Sequence, residues 1–253
     1  DSIVNSYGSD GYEKLYNRYV SSLAEYNQRN AEQKKYIDKP VEPMGRKNFH
    51  RPIGLSETML NTVIPYTLKG FLFYQGESNT ARGAQYRKLF PAMINEWRTA
   101  WGQGDIPFLF IQLPRFETKT RYWYELREAQ YLTSHHVKNT AMVVAFDQGN
   151  PKDIHPIVKD TVGWRLSQLA LGKVYCQGPE FKKMTKTADG SLLLDFANAG
   201  TGLVSKDNAA TLSGFTVAGK DGKFYPAEAI IVGKNQVKVK NNLVTTPVDV
   251  RYL

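Results

Sequence analysis

The sequence predicts an α/β layer sandwich built on a parallel sheet, followed by a β-rich module. Three observations carry this reading. Short strands that are apolar throughout alternate with amphipathic helical stretches between about residues 60 and 173. Strands of that kind suit a parallel sheet covered by helices on both faces. Beyond residue 173 the texture changes to short strand-like pieces separated by turn signals, as in an all-β sandwich. The expected organisation is therefore an α/β domain over residues 1–173 and a β-rich accessory module over 174–253.

The elements follow in order. Residues 11–36 read as a helix, because Leu15, Tyr16, Tyr19, Leu23 and Tyr26 recur at three- and four-residue spacing. KPVEPMGRKNFHRPIG is broken by proline and glycine and reads as a loop. Pro52, Gly54 and Pro65 bracket a short helical piece around Met59. KGFLFY is the first strand. AQYRKLFPAMINEWRTAW is the next helix, with Tyr86, Leu89, Phe90, Met93, Ile94 and Trp97 at helical period. Pro91 inside it implies a bend or a later start. PFLFIQL, YWYELREAQYLTSHH, AMVVAF and IVKDTVGWRLSQLAL continue as strand, helix, strand and helix, the last with Val158, Val162, Leu166 and Leu169 on one face. SLLLDF, GFTVAG, AEAIIVG, NQVKVK and PVDVRYL supply the later strands, with ADG, KDGK, GKNQ and KNN as turns.

Composition narrows the function classes. The net charge is +9, which permits binding to nucleic acid, an anionic surface or an acidic sugar. The basic residues are dispersed, and no nucleic-acid recognition motif accompanies them. No apolar run approaches the roughly 20 residues that span a bilayer. DSIVNSYGSDGY lacks the basic-then-apolar pattern of a signal peptide, as would a mature or trimmed chain. Cys176 is the only cysteine, so an intrachain disulfide and a multi-cysteine zinc site are excluded. Its bland reading is a small core residue beside Val174 and Tyr175; its functional reading is a thiol nucleophile.

Open parallel sheets bind ligands at the carboxyl ends of their strands. Past the first strand comes Gln75-Gly76-Glu77-Ser78-Asn79, past the second Pro114-Arg115, and past the third Asp147-Gln148-Gly149-Asn150, then Asp153 and His155. An imidazole is the simplest general base near neutral pH, and a carboxylate can fix its tautomer. Asp153 and Asp147 both qualify as that carboxylate. The alternative is that His155 caps the helix starting near Ile157. In QGESN, Ser78 lacks the G-x-S-x-G elbow of a nucleophile. The Gln75 amide and the Gly76 N–H could instead donate to an oxyanion, or the stretch could be a polar turn with Ser78 or Asn79 as N-cap. His50 lies in a basic loop and supports either reading. His135 and His136 close a helix, where cations suit the dipole, and the spacing of a metal pair is missing.

GFLFYQGESN, YRKLFPAMINEWRTAWGQGDIPFLFIQL, ELREAQ and DQGNPKDIHPIVKDTVGWRLSQLAL together resemble the sialate O-acetylesterases, which are SGNH-type hydrolases. The resemblance runs over roughly residues 45–173, more loosely beyond. It implies a flavodoxin-like three-layer sandwich and removal of O-acetyl groups from carbohydrates, sialic acids foremost. It implies a serine nucleophile, His155 as base and then acid, and Asp153 or Asp147 as its orienting carboxylate. Gln75 and Gly76, with Glu77 and Ser78 beside them, are implied to hold the oxyanion and substrate. It implies no metal or organic cofactor and a secreted or periplasmic location; the dispersed charge and the lack of an apolar span add the expectation of no nucleic-acid partner and no membrane. The family's early GQSN-like nucleophile block has no counterpart here. Ser2, in Asp1-Ser2-Ile3-Val4, imitates the tail of a G-D-S block. The stronger expectation is that the nucleophile lies outside these residues, on an N-terminal fragment of the same precursor that then acts as a partner. The alternatives are an esterase for other acetylated polysaccharides, a non-catalytic carbohydrate-binding protein on the same scaffold, and a basic nucleic-acid binder.

Overall fold

The computed structural model describes residues 9–34, 37–43, 53–117, 123–173 and 178–252. Ser2, His50 and Cys176 lie outside these residues. The chain divides into two compact units: residues 1–67 with 100–102, and residues 68–99 with 103–253.

In the first unit, helix α1 spans Ser9–Gln28. Tyr19, Leu23 and Tyr26 are half-buried, whereas Leu15 and Tyr16 of the expected apolar face are exposed. The predicted helix to residue 36 is interrupted at Asn30. There the Asn30 side chain accepts from the Gln33 N–H (3.0 Å) and the Gln33 side chain from the Asn30 N–H (3.1 Å). This reciprocal cap satisfies two otherwise orphaned donors and starts a separate turn, Ala31–Lys34. The piece around Met59 is a π-helical turn, Ser56–Leu60, followed by one α-turn, Asn61–Val63.

In the second unit, β1 (Phe71–Phe73), β2 (Phe108–Ile111) and β3 (Thr140–Val143) form a parallel sheet in the order β1-β2-β3. Helices α2 (Gly83–Trp101), α3 (Trp123–His136) and α4 (Asp160–Ala170) connect or follow them. Alternation along the strands sorts the core into two layers. Phe108, Phe110 and Met142 meet Tyr86, Phe90 and Ile94 of α2 and Leu126 and Ala129 of α3. Ile111 and Val143 meet Val162, Leu166 and Leu169 of α4 on the opposite face. The first layer is rich in rings: Phe90 packs edge-on against Phe110 at 4.9 Å and stacks on Tyr86 at 5.1 Å.

Two expectations need correction. Helix α2 starts at Gly83 and runs through Pro91 without ending, although Pro91 withholds a donor from the Arg87 carbonyl. Helix α4 begins at Asp160 rather than Ile157, and Ile157 and Val158 stay exposed.

The remaining strands are antiparallel. β4 (Glu180–Lys186), β5 (Leu192–Ala197), β9 (Gln236–Lys240) and β8 (Glu228–Val232) form one sheet in that order. β10 (Asp249–Tyr252), β6 (Phe215–Ala218) and β7 (Phe224–Pro226) form another. Leu192, Leu194, Val237 and Val239 of the first sheet share a core with Phe215 and Val217 of the second. In QVKVK the two valines point inward and Lys238 and Lys240 outward, the period of a half-buried strand. Strand β4, EFKKMTK, was not anticipated. It is an edge strand with little burial, and its lysines blunt the exposed edge.

Glu180 of β4 pairs with His135 at the end of α3. Partial burial disfavours the His135 cation. The bond to the Tyr131 carbonyl and the Glu180 carboxylate outweigh that and raise its pKa. A raised folded-state pKa stabilises the protein below the unfolded histidine range, and the gain is lost as pH rises through the folded value. Thermal melts of the wild type should therefore show an acid-side stabilisation across the histidine range that Glu180→Gln reduces. Parallel pH profiles for the two proteins would contradict this.

Candidate active site

The three strand ends open on one edge of the parallel sheet, and a buried amide ties two of them together. Gln130 of α3 is fully buried. Its Oε1 accepts from the Leu113 N–H (2.9 Å), and its Nε2 donates to the carbonyls of Gln75 (3.3 Å) and Ile111 (3.4 Å). The loop after β1 is thereby fixed to the end of β2.

That loop turns at Gly76. Its φ is +154°, and a Cβ there would lie 2.7 Å from Leu126 Cδ2, so both backbone angle and packing require glycine. Gly76 leads into a 3-10 helix, Glu77–Arg82, with no side-chain cap; neither Ser78 nor Asn79 is the N-cap. The Gln75 Nε2 donates to Asn79 Oδ1 (3.1 Å), and the Asn79 N–H to the Gly76 carbonyl (2.9 Å). This tight loop thus carries two amide side chains and glycine backbone. Glu77 is half-buried and Ser78 exposed.

The loop after β3 is anchored to the segment that follows β2 by close backbone contact. A Cβ on Gly149 would lie 2.2–2.7 Å from backbone atoms of Arg115, so only glycine fits. The Glu117 N–H also donates to the Pro151 carbonyl (2.9 Å). From Gly149 the chain crosses back toward β1, where Lys159 sits over the Tyr74 ring at 4.9 Å. His155 lies on this crossing, exposed, four residues before Lys159, the N-cap of α4. It does not cap that helix. Two strand spacings separate β1 from β3, roughly 10 Å, and the crossing spans them.

The two candidate carboxylates have different surroundings. Asp147 is held bidentately by Arg165 of α4, Oδ1 to Nη1 and Oδ2 to Nη2 at 2.7 Å each. Arg165 also donates to the Val144 carbonyl (2.7 Å). The Arg165 bonds, with help from Gln148, bring the Asp147 pKa down to about 2 against opposing desolvation. Asp153 Oδ1 accepts from the His155 backbone N–H (2.8 Å) and the Asp153 N–H donates to the Asn150 carbonyl (3.3 Å). Asp153 thus shapes the turn that presents His155, and its second oxygen makes no bond among the described residues. The His155 imidazole likewise makes none among them. His135 and His136 instead bond the carbonyls of Tyr131 and Leu132 through Nδ1, as a helix C-terminus favours.

Gln75, Gly76, Glu77 and Ser78 therefore share one strand end, and Asp147, Asp153 and His155 share another on the same sheet edge. No hydrogen bond joins the two groups among the described residues. The sequence reading passed over Gln130 and Arg165. The signal for Gln130 was a lone amide on the apolar face of α3, between Leu126, Ala129 and Thr133, all buried.

The mixed α/β scaffold is that of a carbohydrate esterase. Residues 39–175 match the family described as carbohydrate esterase, sialic acid-specific acetylesterase. The chain belongs to that family. It is 32% identical over 165 residues to sialate O-acetylesterase from Mus musculus, covering 55% of this chain and 30% of the relative. The human sialate O-acetylesterase is 30% identical over 165 residues, covering 55% and 32%. The chain thus spans about a third of these relatives. The crystal structure of a carbohydrate acetylesterase from Xanthomonas citri superposes with a TM-score of 0.71 at 34% identity, over 80% of this chain and 49% of that one.

Two outcomes are expected. Gln130→Leu leaves the Leu113 N–H and the Gln75 and Ile111 carbonyls short of a partner, at on the order of 1–3 kcal/mol per buried group. The urea midpoint should fall with the slope unchanged; an unchanged midpoint would contradict the clamp. Asp147→Asn should lose stability at neutral pH. Because the folded pKa is depressed, the difference should vanish as pH falls from the ordinary carboxylate range through about 2. Melting curves at pH 7 and pH 2 read both arms.

Proposed function

We propose that this chain carries the acid–base and oxyanion-holding part of a carbohydrate O-acetylesterase site on a flavodoxin-like SGNH scaffold. The observation that carries the reading is the shared strand-end edge, with His155 on the chain crossing from β3 to β1 and the Gln75-Gly76 loop at β1. A serine hydroxyl attacks the acetyl carbonyl while His155 takes its proton. The Gly76 N–H and the loop amides donate to the oxyanion. The sugar oxygen leaves with the proton held by His155. Water then attacks the acetyl-serine with His155 again as base, releasing acetate and restoring the serine.

Asp153 is the orienting carboxylate in this reading, because Asp147 is committed to Arg165. Ser78 sits inside a 3-10 helix rather than at a strand-to-helix elbow, and the family's GQSN-like block has no counterpart in the sequence, so we place the nucleophile outside this chain, on a preceding part of the same precursor. Strand β1 supports that placement. It is an edge strand of the sheet, and its Leu72 is 68% exposed, which suits further chain packing there. Acetylated carbohydrates are the substrate class, with O-acetylated sialic acids first, as in the family's description.

The test is acetate release from an O-acetylated sialic acid by the full-length gene product. His155→Ala should lower kcat by about 10²–10⁴-fold, and Asp153→Asn should lower it far more than Asp147→Asn does. A larger loss in Asp147→Asn than in Asp153→Asn, in protein that remains folded, would reverse the carboxylate assignment. Full activity in His155→Ala would remove the reading altogether.

A further inference from the structure

A second polar cleft lies along α3, apart from the residues assigned to acyl transfer. It measures about 330 Å³, within the range of small-ligand pockets. Its walls are Gln112 at the end of β2, Tyr124, Arg127 and Tyr131 on one face of α3, and Arg251 and Tyr252 of β10. None of Gln75, Gly76, Asp153 or His155 lines it.

Two guanidinium groups are held here with no carboxylate paired to them among the described residues. Arg127 stacks over the Phe146 ring at 4.7 Å, and its Nη2 donates to Gln112 Oε1 (3.3 Å), while Gln112 Nε2 donates to the Arg127 carbonyl (3.0 Å). The Arg127 Nε is buried with no hydrogen-bond partner among the described residues. Burial lowers its pKa to about 10, still well above neutrality, so the group is a desolvated cation. Such a cation is costly unless an anion pairs with it. Arg251 lies over the Phe224 ring at 3.7 Å and faces Tyr124 at 5.9 Å. Rings that hold a guanidinium by its face leave its N–H edge free for an oxyanion. The acid in the cleft, Glu128, is taken by Arg87 of α2 in an ion pair.

We propose that this cleft binds the oxyanion of an acidic sugar, a carboxylate or a sulfate ester, as an accessory site distinct from acyl transfer. Arg127 and Arg251 receive the anion. Tyr131 and Tyr252 offer ring faces and hydroxyls to the sugar body. The site does not depend on the esterase reading, because it uses none of the same residues and its readout is binding.

The experiment is an NMR titration of the whole 253-residue chain with galacturonate, galactose 6-sulfate and galactose. At least one of the two acidic sugars should bind about tenfold or more tightly than galactose, and added salt should weaken it. Shifts should concentrate on α3 and β10. Which acidic sugar binds better distinguishes the carboxylate from the sulfate source. Arg127→Gln and Arg251→Gln should each reduce affinity about tenfold or more, as loss of a charged hydrogen bond does. Arg251 is exposed, so its variant leaves the test standing if Arg127→Gln fails to fold. Equal binding of galactose, no binding of either acidic sugar, wild-type affinity in Arg251→Gln, or shifts confined to the Gln75 and His155 loops would each overturn the proposal.

Discussion

One buried amide sets the geometry on which the candidate site depends. Gln130 offers an acceptor and a donor to three backbone groups on two different strand ends. A carboxylate could accept but not donate, and a lysine could donate but not accept. Removing the Leu113 N–H and the Gln75 and Ile111 carbonyls from water obliges the chain to supply partners, and only a two-sided group on the covering helix can serve both kinds. Arg98 of α2 does comparable work at the far end of the sheet. It donates to the carbonyls of Ile106, Lys138 and Asn139, ahead of β2 and β3. β2 is thus pinned at both ends by side chains from the helices that cover it.

The third strand end is held differently. Gly149 lets two backbones touch where a Cβ would overlap Arg115, and the Arg165–Asp147 pair fastens the start of the loop to α4. Between these anchors and Lys159 the chain is free to present His155 to solvent. Asp147 is paired with Arg165, whereas Asp153 accepts from the His155 backbone N–H; the sequence around each carboxylate did not reveal that difference in partners.

Much of the fold was legible because it follows from periodicity. The apolar runs around Phe71, Phe108 and Ala141 read as strands, and α2 and α3 showed their buried faces directly. The misses have local causes. The Asn30–Gln33 cap divides a stretch that looks continuous in apolar spacing. Val158 fits the α4 face by spacing but precedes the helix. Strand β4 carries too little burial to alternate visibly. The strand-end rule brought Gln75, Gly76, Asp147, Asp153 and His155 to one edge, but it said nothing of partners across the fold. Gln130 and Arg165 act over 17 and 18 residues or more of sequence, and such pairings are fixed by packing, which periodicity does not encode.

In the proposed reaction, His155 serves a serine that is not in these 253 residues. The most direct measurement is fluorophosphonate labelling of the full-length gene product, with the modified residue located by mass spectrometry. A single labelled serine outside this chain is expected, with labelling strongly slowed by His155→Ala. A label on any serine within these residues, or labelling indifferent to His155, would contradict it.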